Sequence, residues 1–464
     1  MDSSISATGV APRATLSQLP AEAEGRRDTL VLRVAITTLG CKVNRADGDA
    51  LIGRVNGLVL VPFDHPADVY IINSCTVTAT ADRQSRQMVH RARRLNPTAR
   101  IYLTGCLAAV STEPGLRDEL DGIYPAARHA ELICELTSLS EGFVEKGRGA
   151  SRAPLEYGAE RATCDRARPF LKVQDGCNHA CSYCIVPRAR GPSRSTRTPT
   201  EIVGDLRRLA ADGYREVVLT GIHLGQYGAD LTPPVGLSAL VGELVDPPVV
   251  SRIRLSSVEP LEVTPELIAL LRRHPHALCP HLHLPLQSGD DGVLQAMNRP
   301  YRMAQIQELL QPLRQVPDLA LGTDLIAGFP GETDAQFERT LALVRHGPFT
   351  HLHVFPYSRR SDTAAAALPP VASATIKRRA RALREAGRRR WQAFATSQVG
   401  QVRSVLVEQI RDGQLTGITD NYLRVRFGGD VAPGQGLALV GQLVRVRLDA
   451  LAGEALIGAM TAPG

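Results

Sequence analysis

Three closely spaced cysteines constrain this chain more than any other feature of its sequence. Cys177, Cys181 and Cys184 stand at the spacing C-x3-C-x2-C, just after the apolar run 170–173. Thiolates held this close can ligate three irons of a 4Fe-4S cube, which normally takes four cysteines. Because no fourth cysteine lies nearby, the fourth iron would stay open to a ligand that is not protein. Two alternatives remain open: a zinc site, for which His179 is the only additional local ligand, and cysteines that bind no metal.

The spacing, together with Tyr183 directly before the last cysteine, resembles that of the radical S-adenosylmethionine (SAM) superfamily. In that superfamily the amino and carboxylate groups of SAM bind the open iron. The resemblance therefore implies SAM as a cofactor and an open, partial β/α barrel around the motif.

Composition sets the context of these cysteines. The chain has 464 residues, 44% hydrophobic and 22% charged, which predicts about three globular domains. Six of the nine cysteines fall into two groups of three, which is typical of metal clusters in a reducing cytoplasm and not of disulfides. No apolar run reaches the ~18–20 residues of a membrane span. Residues 1–28 are predicted to be a disordered leader, and the net charge of +7 favours a polyanionic partner.

The second group of three cysteines lies in residues 29–145, which alternate between strand-like and helix-like segments. This alternation predicts a parallel α/β sheet domain. Cys41, Cys75 and Cys106 each follow a predicted strand. Since the carboxyl ends of parallel strands share one edge of a sheet, the three thiols can converge there on one site. Three unrelated buried cysteines are the alternative that spacing leaves open.

Motifs around these cysteines, with the C-x3-C-x2-C motif, resemble the methylthiotransferase family over nearly all of residues 32–461. The motifs are Thr-Leu-Gly-Cys-Lys-Val-Asn at 38–44, Asn-Ser-Cys-Thr-Val-Thr at 73–78 and Thr-Gly-Cys at 104–106. The resemblance implies that Cys41, Cys75 and Cys106 hold a second 4Fe-4S cluster. The Gly-Cys-Lys-Val-Asn segment resembles the bacterial branch that acts on threonylcarbamoyladenosine in tRNA, whereas other branches more often read Gly-Cys-Gln-Met-Asn or Gly-Cys-Pro-Lys-Asn.

The resemblance also implies a reaction. One cluster cleaves SAM to methionine and a deoxyadenosyl radical. The other carries a sulfur that a second SAM methylates before its transfer to C2 of adenine, next to the tRNA anticodon. The implied partners are the anticodon stem-loop, an electron donor such as flavodoxin or ferredoxin, and a sulfur source. Two other substrates remain alternatives, isopentenyladenosine and a ribosomal protein side chain; an alternative of another class is a non-catalytic iron–sulfur electron carrier that binds RNA.

After a linker at 146–168, residues 169–398 show six strand-like runs separated by helical stretches, which predicts a (β/α)6 partial barrel. The runs are 170–173, 216–222, 252–258, 281–285, 319–326 and 351–356. Chemistry in such barrels lies at the carboxyl ends of the strands. Polar and glycine-rich segments stand at these ends, and by resemblance we expect Gly221, Gln287 and Asp324 to line the SAM pocket. Asp324 has an alternative role as a helix cap or ion-pair partner.

Some segments fit the pattern less well. Residues 358–363 lack the glycine of the family's Ser-x-Arg-x-Gly-Thr segment. Cys134 and Cys279 are interpreted as packing residues and Cys164 as an exposed thiol, since none matches a cluster position.

Residues 399–464 switch to short alternating strands, which predicts a small OB-like barrel, a common RNA-binding shape. It resembles the TRAM domain that ends the family. Tyr422, Arg424 and Arg426 are predicted RNA contacts, and the arginines at 188–197 are predicted to steer RNA phosphates to the active site. The basic run 377–390 is equally consistent with a solvated helix face.

Overall fold

The chain forms two parallel α/β units and a closed barrel. The computed structural model describes residues 31–110, 114–146, 167–411, 413–428 and 433–461. The predicted leader at 1–28, Cys164 and most of the predicted linker lie outside the described residues. The prediction of a parallel sheet, an open barrel and a small C-terminal barrel is confirmed.

The first unit is a five-stranded parallel sheet in the order β2-β1-β3-β4-β5. All six residues of the central β3 are buried, because helices cover both faces of the sheet. Its elements are β1 (Leu32–Thr38), α1 (Lys42–Ile52), β2 (Leu58–Leu60), β3 (Val69–Ser74), α2 (Ala79–Leu95), β4 (Arg100–Gly105), α3 (Cys106–Val110), α4 (Pro114–Arg117), β5 (Gly122–Tyr124) and α5 (His129–Lys146).

The end of this unit differs from the sequence-based expectation. The sequence of residues 133–144 predicts a closing strand and a helix, but α5 occupies the whole stretch and the closing strand β5 precedes it. Leu132 and Leu136 are fully buried against the sheet, and their spacing of one helical turn explains the helix. Cys134 lies on the outer face of α5 and is exposed, so its interpretation as a packing residue was wrong. Cys279 is buried, as expected.

The second unit is the partial barrel. Its six parallel strands form two sheets, β6-β9-β10 and β11-β12-β13, joined by the isolated bridge Ser257–His283. Thr198 caps α7 in a capping box with Glu201. The elements are β6 (Phe170–Lys172), β7 (Gln174–Asp175), α6 (Val186–Arg190), β8 (Arg194–Ser195), α7 (Pro199–Ala211), β9 (Glu216–Thr220), α8 (Leu237–Val245), β10 (Arg252–Leu255), α9 (Pro265–Arg273), β11 (His281–Gln287), α10 (Asp291–Ala296), α11 (Met303–Leu313), β12 (Ala320–Ala327), α12 (Asp334–His346), β13 (His351–Pro356) and α13 (Ser373–Ser397).

The third unit is a closed barrel in the order β14-β15-β16-β18-β17. Long α13 leads into it, and Trp391 and Phe394 pack against its core. Arg379 of the basic run is buried against Glu332 at 2.8 Å, so this run is not entirely a solvated face. The elements are β14 (Val402–Arg411), β15 (Gln414–Thr419), β16 (Arg424–Phe427), α14 (Pro433–Leu439), β17 (Leu443–Ala452) and β18 (Ala455–Met460).

A buried ionic group joins the third unit to the amino ends of the barrel strands. Glu216 is fully buried and pairs with Arg252 at 2.5 Å and Arg254 at 2.8 Å. Arg252 donates to the carbonyl of Ser404 and Arg254 to that of Asp420. These bonds satisfy charges that would otherwise be costly to bury, and they fix the C-terminal barrel at the end opposite the cysteine motif.

Candidate active site

Cys177, Cys181 and Cys184, here called the loop set, lie on one loop at the carboxyl end of β6. The short β7–β8 hairpin closes the base of the loop, and the Cys177 amide donates to the carbonyl of Gly191 at 3.1 Å. Gly176 has φ +72°, and a Cβ there would clash with the carbonyl of Pro192. The turn into Cys177 therefore requires glycine.

The three cysteines of the loop set are partly buried and lie near enough to influence one another's charge. Burial, together with the neighbouring thiols of Cys181 and Cys177, raises the pKa of Cys184 to about 12. Arg299 Nη1 donates to Cys181 Sγ at 3.3 Å. Cationic donors beside thiols favour the deprotonated, metal-binding form.

Histidines stand beside the loop set. His223 Nδ1 lies 3.4 Å from Cys177 Sγ and its Nε2 lies 2.7 Å from Glu262. The candidate ligand atoms of Cys177, His179 and His223 all lie within 4.8 Å of one another. Geometry alone thus leaves the zinc alternative open, with a second histidine that the local sequence did not indicate.

Cys41, Cys75 and Cys106, here called the sheet-edge set, follow three neighbouring strands, β1, β3 and β4. Burial raises the pKa of Cys106 to about 11; the Arg190 guanidinium opposes this shift, while Cys41 and Cys75 add to it. The predicted convergence of the three thiols at one sheet edge is therefore present in the structure.

Asn44 organises the sheet-edge set. Its side-chain amide donates to the carbonyls of Leu39 and Ser74, at 2.9 and 2.7 Å, and so ties the exits of β1 and β3 together. Its Oδ1 lies 3.8 Å from Cys106 Sγ. The sequence motif contained this asparagine, but not its role.

The buried hydrogen-bond donors near Cys75 show whether this edge of the sheet suits an anionic cluster. Arg360 pairs with Asp82 through Nη1, while its Nε and Nη2 have no hydrogen-bond partner among the described residues. Burial raises the pKa of Cys75, and the charge of Arg360 opposes that shift. Unpartnered buried donors near Cys75 fit the sulfurs of an iron–sulfur cluster, whose negative charge accepts N–H bonds.

The arginines at 188–197 differ in exposure: Arg190 is buried and cannot steer RNA, whereas Arg188 and Arg194 stay exposed, so for these the steering of RNA phosphates stays a prediction. Each pairs with a carboxylate: Arg188 with Asp362 at 3.0 Å, Arg190 with Asp47 at 2.5 Å, Arg194 with Asp175 at 3.2 Å, and Arg197 with Asp205 at 2.5 Å. Spacing along the chain could not reveal the partners of Arg188 and Arg190, because Asp362 and Asp47 lie far away in sequence.

The predicted SAM-pocket residues occupy two levels of the barrel. Gly221 directly follows β9, and Gln287 ends β11 with φ +70°. Asp324 lies inside β12, where its Oδ1 accepts from His283 Nε2 at 2.8 Å and His353 Nδ1 at 3.1 Å. Burial alone would raise the pKa of Asp324, but these two histidines lower it well below its usual range. Its ion-pair role is thus present in the structure.

Tyr422 lies at the opposite end of the barrel. Its ring stacks on His281, with centroids 4.4 Å apart, and the Arg254 guanidinium lies 5.1 Å above it. The ring of Tyr422 is packed in this interface and is only partly exposed, so its contact with RNA stays a prediction. Arg424 and Arg426 are exposed on β16, alternating with buried Val425 and Phe427.

Two family models match the chain. The Radical SAM superfamily model matches residues 171–344, and that of the uncharacterized protein family UPF0004 matches residues 33–121. Among solved structures, the radical SAM methyltransferase TsrM from Kitasatospora setae is similar with a TM-score of 0.51 and 14% identity, over 72% of this chain and 77% of that one. The cysteine loop and this fold define the class as radical SAM enzymes.

Curated relatives narrow the class. The threonylcarbamoyladenosine tRNA methylthiotransferase MtaB of Bacillus subtilis is 36% identical over 89% of this chain and 93% of its own length. That of Aquifex aeolicus is 35% identical over 89% of this chain and 100% of its own. The tRNA-2-methylthio-N(6)-dimethylallyladenosine synthase of Geobacter metallireducens is 34% identical over 89% and 95%.

The chain therefore belongs to the radical SAM tRNA methylthiotransferase family, and it is an enzyme. The family prediction is confirmed, and with it SAM and 4Fe-4S clusters as cofactors, a second cluster being typical of the family. The two alternatives of a zinc site and of a non-catalytic electron carrier are therefore no longer considered. No helix of the described residues is long and apolar enough to cross a membrane.

Proposed function

We propose that this enzyme methylthiolates C2 of the adenine in threonylcarbamoyladenosine, next to the tRNA anticodon. The observation that carries the proposal is the apposition of the loop set and the sheet-edge set, which Arg190 joins across the interface of the first two units. Relatives named for this substrate, and the Gly-Cys-Lys-Val-Asn segment at 40–44, support the choice of nucleoside.

The two sets have separate roles in this proposal. Cys177, Cys181 and Cys184 would hold the cluster that binds SAM, and Cys41, Cys75 and Cys106 the second cluster. When bound, these groups supply the radical and the sulfur, chemistry that side chains alone lack. Gly221 and Gln287 line the strand ends beside SAM. Asp324 accepts from His283 and His353 and so holds both rings in defined tautomers.

The remaining parts of the chain hold the partners. We assign residues 29–145 to the second cluster, 169–398 to the radical chemistry and 399–464 to tRNA, where the exposed Arg424 and Arg426 can contact phosphates. The target base lies in a single-stranded loop, so it can be splayed into the barrel at little unstacking cost. A flavodoxin- or ferredoxin-type donor, a sulfur source and a cytoplasmic location complete the proposal.

Mass spectrometry of tRNA nucleosides tests this proposal. Anaerobically reconstituted enzyme receives SAM, dithionite and tRNA bearing either threonylcarbamoyladenosine or isopentenyladenosine. We expect the methylthio product from the first tRNA only. Product from the second tRNA alone would transfer the assignment to isopentenyladenosine, and deoxyadenosine without product from either would contradict a tRNA substrate of these two kinds.

A further inference from the structure

Arg190 joins the two cysteine sets from a buried position between the first two units. Its side chain is fully buried, and it lies at the end of α6, six residues after Cys184. The next residue, Gly191, accepts the Cys177 amide at 3.1 Å, which ties the arginine's backbone to the start of the loop set. Its guanidinium extends in the other direction, to the sheet-edge set.

The contacts of the guanidinium select one cysteine. Nε donates to Cys106 Sγ at 3.4 Å, Nη1 pairs with Asp47 at 2.5 Å and Asp175 at 3.4 Å, and Nη2 donates to Asn44. The two carboxylates hold the planar group in one orientation, since a guanidinium offers its donors in a fixed fork. The two ion pairs therefore fix the guanidinium so that its Nε is directed at Cys106 Sγ.

We propose that Arg190 is a positioning residue that couples the two sites. It extends from the loop that carries the first cluster, and it sets both the position of Cys106 and the reduction potential of the cluster that the sheet-edge set holds. A donor to a ligating sulfur stabilises the reduced cluster, which carries one more negative charge, and so raises the potential. This inference rests on the proposed function only in requiring that the sheet-edge set holds a cluster.

Arg299 provides the matched comparison. It is buried, donates from Nη1 to Cys181 Sγ at 3.3 Å and pairs with Glu259, but its contacts remain within the barrel unit. Each cysteine set thus has one buried arginine bonded to one of its thiols, and of these two arginines only Arg190 crosses between units.

Redox titration followed by electron paramagnetic resonance, on the reconstituted full-length protein, tests the coupling. One background carries Cys177, Cys181 and Cys184→Ala and keeps only the sheet-edge cluster; the other carries Cys41, Cys75 and Cys106→Ala. We expect Arg190→Gln to lower the reduced-to-oxidised ratio of the sheet-edge cluster about tenfold at fixed potential, or 59 mV for one electron. The same variant should leave the potential of the loop cluster unchanged. Arg299→Gln should lower the potential of the loop cluster and leave that of the sheet-edge cluster unchanged.

Asp47→Asn separates this role from simple loss of the interface. It removes an ion pair of Arg190 but keeps the donor to Cys106, and losing a negative charge should raise the sheet-edge potential or leave it unchanged. Arg190→Lys keeps the charge without the fork, so we expect an intermediate shift. If Arg190→Gln cannot hold the sheet-edge cluster while Asp47→Asn can, the positioning role is supported directly.

Three results would overturn the inference: no shift with Arg190→Gln, equal shifts of both clusters, or a decrease with Asp47→Asn as large as that with Arg190→Gln. The failure of the proposed function looks different. In that case the protein without the loop set would bind no cluster at all, with Arg190 intact.

Discussion

The loop set and the sheet-edge set bring three thiols together in different ways. Cys177, Cys181 and Cys184 belong to one turn whose shape depends on residues close to it in sequence, such as Gly176 and Gly191. Cys41, Cys75 and Cys106 are brought together by the order of β1, β3 and β4 in the sheet. The first arrangement is local, whereas the second exists only once the sheet has formed.

The two cysteine sets also differ in whether the arginines near their thiols come from the same unit or from the neighbouring one. The loop set takes its buried arginine, Arg299, from its own barrel, whereas the sheet-edge set takes Arg190 and Arg360 from the neighbouring unit. The sheet-edge set is therefore complete only when the first two units are docked. From this difference we expect the two sites to respond separately to mutation, and the sheet-edge site to depend more on the domain interface.

The largest difference between the two cysteine sets is expected when single thiols are removed. Cys177→Ala should abolish SAM cleavage and the methylthio product, because the open-iron cluster needs all three thiolates of its set. Cys75→Ala should abolish the product but retain deoxyadenosine formation. Iron in each should fall from about eight to about four per chain, for clusters of four irons. Chromatography of deoxyadenosine and nucleosides, with iron analysis, measures this.

Cys134→Ala is the control, since this cysteine is exposed on α5 outside both sets. It should change neither iron content nor product. The comparison would be broken by loss of SAM cleavage in Cys75→Ala with the loop cluster still present, because the two sites would then not act separately.

A smaller difference between the two cysteine sets is expected when the glycines that precede the cysteines are replaced. Gly40 has φ +93°, and a Cβ there would lie 2.7 Å from Cβ and 2.8 Å from Sγ of Cys75. Gly40→Ala should therefore deplete the sheet-edge cluster several-fold, and Gly176→Ala the loop cluster, because strain of about 1–3 kcal/mol adds to each clash. Mössbauer spectra of reconstituted protein, in the two cysteine-deleted backgrounds, would measure the occupancies.

Gly204→Ala serves as the control for these variants. Gly204 lies within α7 with no atom near the added Cβ, and alanine favours a helix, so a neutral or slightly stabilising effect is expected. Equal depletion of both clusters by Gly40→Ala would show that the two sites are not structurally independent.

The same contrast explains what could be read from sequence. The spacing of the loop set predicts a cluster directly, because it is a local pattern. The place of the sheet-edge set after predicted strands shows only that its cysteines can converge, and the family resemblance is what favours this over three unrelated buried cysteines. The partners of Arg190 and Arg299 could not be predicted, since Cys106 and Cys181 lie 84 and 118 residues away from them. Strand periodicity gave the alternation along β16, but not the barrel end against which Tyr422, in the turn before this strand, packs.

The smallest expected effect concerns the interface beneath Arg190. Burial alone would raise the pKa of Asp47, but Lys172 and Arg190 outweigh it and lower that pKa below its usual range. A carboxylate with a lowered native pKa stabilises the fold above its unfolded pKa of about 4, and this contribution is lost as the pH falls below that value. The stability difference between wild type and Asp47→Asn should therefore be largest at pH 7 and shrink between about pH 5 and pH 3.

Urea unfolding of the metal-free protein measures this difference, because iron–sulfur clusters would themselves respond to acid. Breaking a buried ion pair costs about 3–5 kcal/mol, and we expect the lower end at pH 7 because Asp175 still compensates Arg190. Glu454→Gln, at an exposed position, should give a flat difference across the same range. A pH-independent effect of Asp47→Asn would mean that this carboxylate acts through packing and not through its charge, and the docking of the two units would then not rest on the ion pairs around Arg190.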